Sequence, residues 1–174
     1  MKRTILVSGL ISGSIITVMM IISSIMCYNQ TMNMDLSMVL GYAMMIIAFS
    51  LIFVGIKNYR DKYNDGSISF GKAFMIGLYI ALIASTFYVA TWLVEYYFFM
   101  PDFAEKYCSH MIEKVRASGA AEAEIKKTMA EMEQFKTMYK NPLFVILMTF
   151  VEVLPVGILV SLIAALILKR KQKA

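Results

Sequence analysis

The sequence predicts an all-α membrane protein with four transmembrane helices and an extracytoplasmic helical hairpin between helices 3 and 4. Three observations predict it. Hydrophobic residues make up 59% of the 174-residue chain and charged residues only 17%; a soluble domain carries about 45–50% and about 25%. The apolar residues gather in four long runs, each near the roughly 20 residues that a helix needs to cross a bilayer core. Basic residues cluster at the ends of those runs. The mean hydropathy of +0.66 excludes intrinsic disorder and a free-standing soluble enzyme.

The chain reads as one four-span domain over 1–174, with spans at about 4–27, 39–56, 73–99 and 142–168. The first span, Thr4–Cys27, carries no charge. Lys2 and Arg3 precede it as a signal peptide's basic region would. The run is longer than a typical signal h-region of about 7–15 residues. It ends at Ser24-Ile25-Met26-Cys27, which offers no small-x-small cleavage site, and Met26 stands where a lipobox has a small residue. A retained anchor helix is the expectation. The second span, Val39–Ile56, is uncharged; the third, Ala73–Phe99, has only Glu95, and the fourth, Pro142–Leu168, only Glu152.

Orientation follows from basic residues near the span ends. Lys2 and Arg3 lead the chain, Lys57, Arg60, Lys62 and Lys72 fill the second link, and Lys169, Arg170, Lys171 and Lys173 form the tail. The first link, Tyr28–Met38, has none and carries Asp35. Both termini are therefore expected in the cytoplasm, and in a bacterium with two membranes the location is the inner membrane. The third link also holds basic residues, but acids balance them. The tail suits a stop-transfer anchor touching anionic headgroups, and no nucleic-acid partner is expected.

The polar insert, 102–140, reads as two helices. Asp102 is expected to cap the first, whose apolar positions Phe103, Tyr107, Met111 and Val115 recur every fourth residue, with Cys108 and Ile112 beside them. Ser118-Gly119 breaks the pattern. The second helix, rich in Ala, Glu, Lys and Met, carries a stripe of Ile125, Met129, Met132, Phe135 and Met138 or Tyr139. Asn141-Pro142 opens the last span, with proline at its first position. The hairpin's apolar faces should pack on each other or on the lipid surface.

Small residues recur at helical spacing in every span: Gly9 and Gly13; Gly41, Ala48 and Gly55; Ala73, Gly77 and Ala81; Gly157, Ser161 and Ala165. Lipid gives helices no hydrophobic reason to associate, so close backbone approach must hold them together. Packing within the chain is the expectation. A homodimer seam at Gly9 and Gly13 is the alternative.

Glu152 is the leading candidate for an intramembrane functional or kink site, together with Pro155. It lies about 15 Å into its span, at 1.5 Å per residue, and no Lys or Arg lies within any span to pair with it. Intramembrane ionisable residues are functional candidates by default. Pro155 frees a backbone carbonyl one turn back, near Val151. A protonated Glu152 could donate to that carbonyl, or to Tyr42, Tyr79, Tyr88 or Ser85, and hold a kink. The functional counterpart is proton or cation coupling at a broken helix. Glu95 is the lesser candidate. Among Trp92, Tyr96 and Tyr97 it reads as a solvated residue of the interfacial aromatic belt. Met32, Met34 and Met38, with Cys27, Cys108 and His110, would make only a crude copper site. Methionine also fills apolar gaps and is spread through the whole chain, so no metal or cofactor is expected. Cys27 and Cys108 are two free thiols or one disulfide.

Three stretches resemble the bacterial integral-membrane family catalogued as domain of unknown function 4199. They are Lys2-Arg3-Thr4-Ile5-Leu6, the link Gly55-Ile56-Lys57-Asn58-Tyr59-Arg60 with Ile68-Ser69-Phe70-Gly71-Lys72-Ala73-Phe74, and Glu152-Val153-Leu154-Pro155-Val156-Gly157. The resemblance implies a four-helix membrane protein and assigns no activity.

The sequence offers no nucleophile–base pair, phosphate loop or zinc-protease motif, so no enzyme is expected. The leading expectation is an accessory or scaffolding protein that binds a membrane-protein partner through its hairpin or bundle surface. The alternative is a small proton- or cation-coupled transporter or channel subunit using Glu152.

Overall fold

A computed structural model describes residues 1–28 and 34–171. Met32 and Lys173, both named above, lie outside the described residues. The described residues are mostly helical: α1 (Lys2–Tyr28), α2 (Met34–Tyr63), α3 (Phe70–Val94) with a π-helical turn at Glu95–Phe99, α4 (Phe103–Ala117), α5 (Glu122–Met138) and α6 (Pro142–Leu168). Among the described residues four helices are long and apolar enough to cross a membrane: α1, α2, α6, and α3 together with its π turn. The second span, expected at 39–56, extends at both ends because polar residues such as Asp35 and Arg60 continue the helix into the interfaces.

The long helices pack side by side. α3 lies against α1 and α6, and α2 closes against the same two. Small residues make this approach possible. A methyl group on Gly77 would stand 2.9 Å from the Ser161 side chain, and one on Gly157 would stand 2.8 Å from Ala81. On α1, Gly9 faces Ile83 and Gly13 faces Phe87 of α3. The seam that could have served a homodimer is thus occupied within the chain. Gly41 is the exception: a methyl group there would meet nothing within 4 Å. Between the helices lie Phe49, Ile52, Ile56, Ile76, Ile80 and Val153, all fully buried.

One end of the helices carries the basic residues. Asp65 and Gly66, both at positive φ, turn the chain from α2 into α3, and Ser69 caps α3 through the Lys72 amide. Ile68 exchanges two backbone hydrogen bonds of 2.9 Å with Arg170, and the Arg60 guanidinium donates to the Leu168 carbonyl. These contacts tie the end of α6 to the α2–α3 turn.

The opposite end carries α4 and α5, which pair with each other. Asp102 does not cap α4 as expected. Its carboxylate is 2.7 Å from Lys106 instead, and its side chain makes no cap hydrogen bond. The Lys106 ammonium holds that carboxyl below the usual aspartate range. Asn141 does cap α6, accepting from the Leu143 amide at 2.9 Å. Cys27 and Cys108 are both free thiols. Cys108 is buried and donates to the Met132 carbonyl, and burial pushes its thiol upward. With Cys27→Ser in place, iodoacetamide at pH 8 should alkylate Cys108 about tenfold more slowly than a free cysteine. A rate equal to free cysteine would place that thiol in water.

A candidate intramembrane cavity

The aromatic stripes of α4 and α5 converge on the ends of α3 and α6. Trp92 donates from its indole to the Tyr139 hydroxyl at 2.8 Å and meets Phe103 edge-on at 4.6 Å. Tyr139 contacts Tyr96 edge-on at 5.0 Å and Phe135 at 4.9 Å. Tyr107 lies 5.7 Å from Phe135. Such ring pairs add about 0.5–1.5 kcal/mol each beyond area burial, so this cluster fastens the hairpin down. Burial pushes the Tyr139 hydroxyl upward, and it stays a neutral phenol at physiological pH.

Beneath the cluster is a cavity of about 490 Å³, within the roughly 300–1,000 Å³ of small-molecule sites. α1, α2, α3 and α6 supply its walls, and Phe103, Tyr107, Phe135 and Tyr139 line it from the hairpin side. Tyr42, Tyr88 and Trp92 add aromatic wall. Among the described residues Glu152 is the one charged side chain in the lining, which also includes Ser23, Ser24, Ser37, Cys27 and Thr149. No described Lys or Arg contributes. α2 and α6 meet closely at Phe49 and Gly157, while Gly41, which lines the cavity further towards the hairpin end, has open space where a side chain would stand. Glu152 and Val151 on α6 and Tyr42 on α2 are exposed at this gap.

Of the partners expected for Glu152, Tyr42 lies close to the carboxyl across the cavity. Tyr88 lies within electrostatic range of both Glu152 and Glu95. α6 runs unbroken through Pro155, so the broken-helix geometry is absent. The site is a cavity wall instead.

Glu95 is a correction. It is only 6% exposed, where a solvated belt residue was expected. The cause is its position on the face of α3 turned towards α1, where the Ser24 hydroxyl donates to its Oε2 at 2.6 Å. It also opens the π turn, closed by the Met100 amide donating to the Glu95 carbonyl at 2.8 Å. Neither the turn nor the cavity was legible in the residue pattern. The four-residue spacing of Phe103 and Tyr107 was the available signal for an inward-facing hairpin.

Asp35, at the start of α2, reaches across to α4. Its Oδ1 lies 2.7 Å from the Lys114 ammonium and 3.4 Å from His110 Nε2. This exposed contact anchors the hairpin beside the cavity. Asp35→Asn should raise cleavage by trypsin at the α4–α5 turn modestly, and 0.5 M NaCl should do the same to the wild type, since salt screens exposed pairs. Unchanged cleavage in both would mean that the aromatic cluster alone holds the hairpin.

A family model described as "Protein of unknown function (DUF4199)" matches residues 11–170. No curated protein and no solved structure matches the chain.

Proposed function

This chain belongs to the DUF4199 family of proteins of unknown function, and for it we propose a multi-pass membrane protein that binds a lipophilic organic cation in the cavity. Glu152 is the counter-ion and can exchange the cation for a proton. The observation that carries the reading is the lining itself: among the described residues, one carboxylate, seven aromatic side chains and no basic residue. A cation gains both ion pairing and attraction to the ring faces, the latter about 0.5–2 kcal/mol per favourable ring. An anion meets only repulsion from the carboxylate. Ionisable groups facing an intramembrane cavity mark substrate or ion pathways.

The basic end supports cytoplasmic termini by the positive-inside rule; in a bacterium with two membranes the hairpin would then stand on the outer side of the inner membrane. The acids and bases of the hairpin support this, since Lys126 pairs with Glu122 and Lys136 with Glu105. Partner binding through the hairpin becomes the second reading, because its aromatic stripes cover the cavity. One observation still favours it: α5 has no fully buried residue and leaves Met129 and Met138 exposed. Photo-crosslinkers at those two positions should trap a discrete partner under that reading, and diffuse labelling would dismiss it.

The test is equilibrium binding of tetraphenylphosphonium and of the isosteric anion tetraphenylborate to the protein in nanodiscs. The cation should bind saturably and the anion should not. Glu152→Gln should weaken cation binding about tenfold or more, equivalent to at least about 1.4 kcal/mol, without loss of folding. Equal binding of the two ions, or an indifferent Glu152→Gln variant, would remove the cavity from the account.

A further inference from the structure

The cavity opens on one flank of the bundle. α2 and α6 both run from the hairpin end to the basic end, and each lines the cavity with the same spacing of residues: Met38, Gly41 and Tyr42 on α2, and Met148, Val151 and Glu152 on α6. Several of these also reach the outer surface. Val151 is 67% exposed, Tyr42 46% and Met148 41%, and Glu152 is exposed as well. Gly41 leaves open space where a side chain would stand. Two turns towards the basic end, Phe49 lies against Gly157 and closes the seam. Glu152 lies about 15 Å into its span, near the middle of a hydrocarbon core about 30 Å thick. From the hairpin side, by contrast, the rings of Phe103, Tyr107, Phe135 and Tyr139 stand over the cavity.

We propose that the cavity is loaded from the bilayer, through a side portal between α2 and α6, and that its ligands are therefore amphiphilic cations already dissolved in the membrane. The inference rests on the cation reading above and adds the route and the ligand class. Carboxylates at this depth are costly and face a bundle interior or a cavity; this one is also reachable from the lipid flank. A cation that wraps its charge in apolar groups enters hydrocarbon at modest cost, whereas a compact hydrated ion does not. Met38 and Met148 flank the opening, and their unbranched, flexible side chains let it widen by changing rotamers without moving a helix.

Two measurements in phosphatidylcholine nanodiscs test the proposal. The first needs no cation. A phosphatidylcholine with a diazirine in mid-chain should label Glu152 or Tyr42 in the wild type, read by peptide mass spectrometry. Gly41→Leu should abolish that labelling and leave labelling at Leu159, exposed on the same helix as Glu152, as it was. The second follows tetraphenylphosphonium by stopped flow through Trp92, the chain's single tryptophan and part of the cavity wall. Gly41→Leu and Val151→Phe narrow the portal, so they should slow association and dissociation alike, about tenfold each, with affinity unchanged. Leu159→Phe should change neither rate. Tetramethylammonium, compact and hydrophilic, should not displace the bound cation. Unlabelled Glu152 and Tyr42 in the wild type, wild-type rates in both portal variants, or displacement by tetramethylammonium would each overturn the proposal. So would faster exchange in Asp35→Asn alone, which would put the entrance beneath the hairpin. A loss of affinity without slower exchange would do the same, because the new side chain would then occupy the ligand's own space. If tetraphenylphosphonium binds nowhere, the cation reading fails, and the lipid label still decides whether the portal exists.

Discussion

Gly157→Leu should destabilise the protein by about 3 kcal/mol or more, at the upper end of the cost of overpacking a filled interior. The added Cβ alone would stand 2.8 Å from the Ala81 Cβ and 3.1 Å from Phe49 Cζ. Ala81 has no rotamer with which to yield, and Phe49 is fully buried. The remaining leucine atoms must drive α6 from α3 at their closest approach, and packing is the main force between helices in lipid. Thermal unfolding in nanodiscs should show a fall of about 10 °C. Gly41→Ala is the control. That methyl group meets nothing within 4 Å and relieves the helix of a glycine, so stability should hold or rise slightly. Equal losses in both variants would mean that glycine acts through backbone flexibility and not through close approach.

Trp92→Ala should be the most damaging substitution in the cavity wall. It deletes an indole that donates to Tyr139 and packs edge-on against Phe103, so α4 and α5 keep only the Tyr96 contact of Tyr139 from this cluster's grip on the α3 end. Truncation of a packed tryptophan costs about 3–5 kcal/mol. The loss should appear as faster amide exchange throughout α4 and α5, with α1 and α2 unaffected. Tetraphenylphosphonium affinity should fall about tenfold with the loss of one ring face and of the ordered aromatic wall. Trp92→Phe keeps a ring and loses the hydrogen bond, so it should cost about 1 kcal/mol. Full cation affinity in Trp92→Ala would show that the ligand, if any, does not touch the aromatic cluster.

Much of this architecture could be read from the residues. Runs of apolar residues located four spans, because helix length and bilayer thickness are tied by a fixed rise per residue. Asn141-Pro142 marked the start of α6, because proline fits the first turn, where an amide has no helical partner. The spacing of Gly9 and Gly13 marked a close contact but could not tell α3 of the same chain from a second copy. Both readings require the same small residues. Glu152 stood out because an isolated carboxylate in an apolar run is costly. Its closeness to Tyr42 depends on how α2 and α6 pack, a property of three-dimensional structure to which local sequence is blind. Glu95 was misread for a related reason. Its aromatic neighbours signal interfacial depth, whereas its burial depends on the rotational phase of α3 against α1. Asp102 had the right residue type for a cap, yet Lys106 four residues on offered its carboxylate a competing partner.

The central claim is that one carboxylate in an aromatic cavity holds a cation or a proton, but not both. The pH dependence of tetraphenylphosphonium affinity, measured in nanodiscs on the wild type and on Glu152→Gln, tests it most directly. A proton competes with the cation, so wild-type affinity should fall as pH is lowered, approaching about tenfold per pH unit once the carboxyl is protonated in the free protein. The Glu152→Gln variant should bind weakly and without pH dependence. A flat wild-type profile, or the same slope in both proteins, would contradict the assignment of Glu152 as the exchanging group.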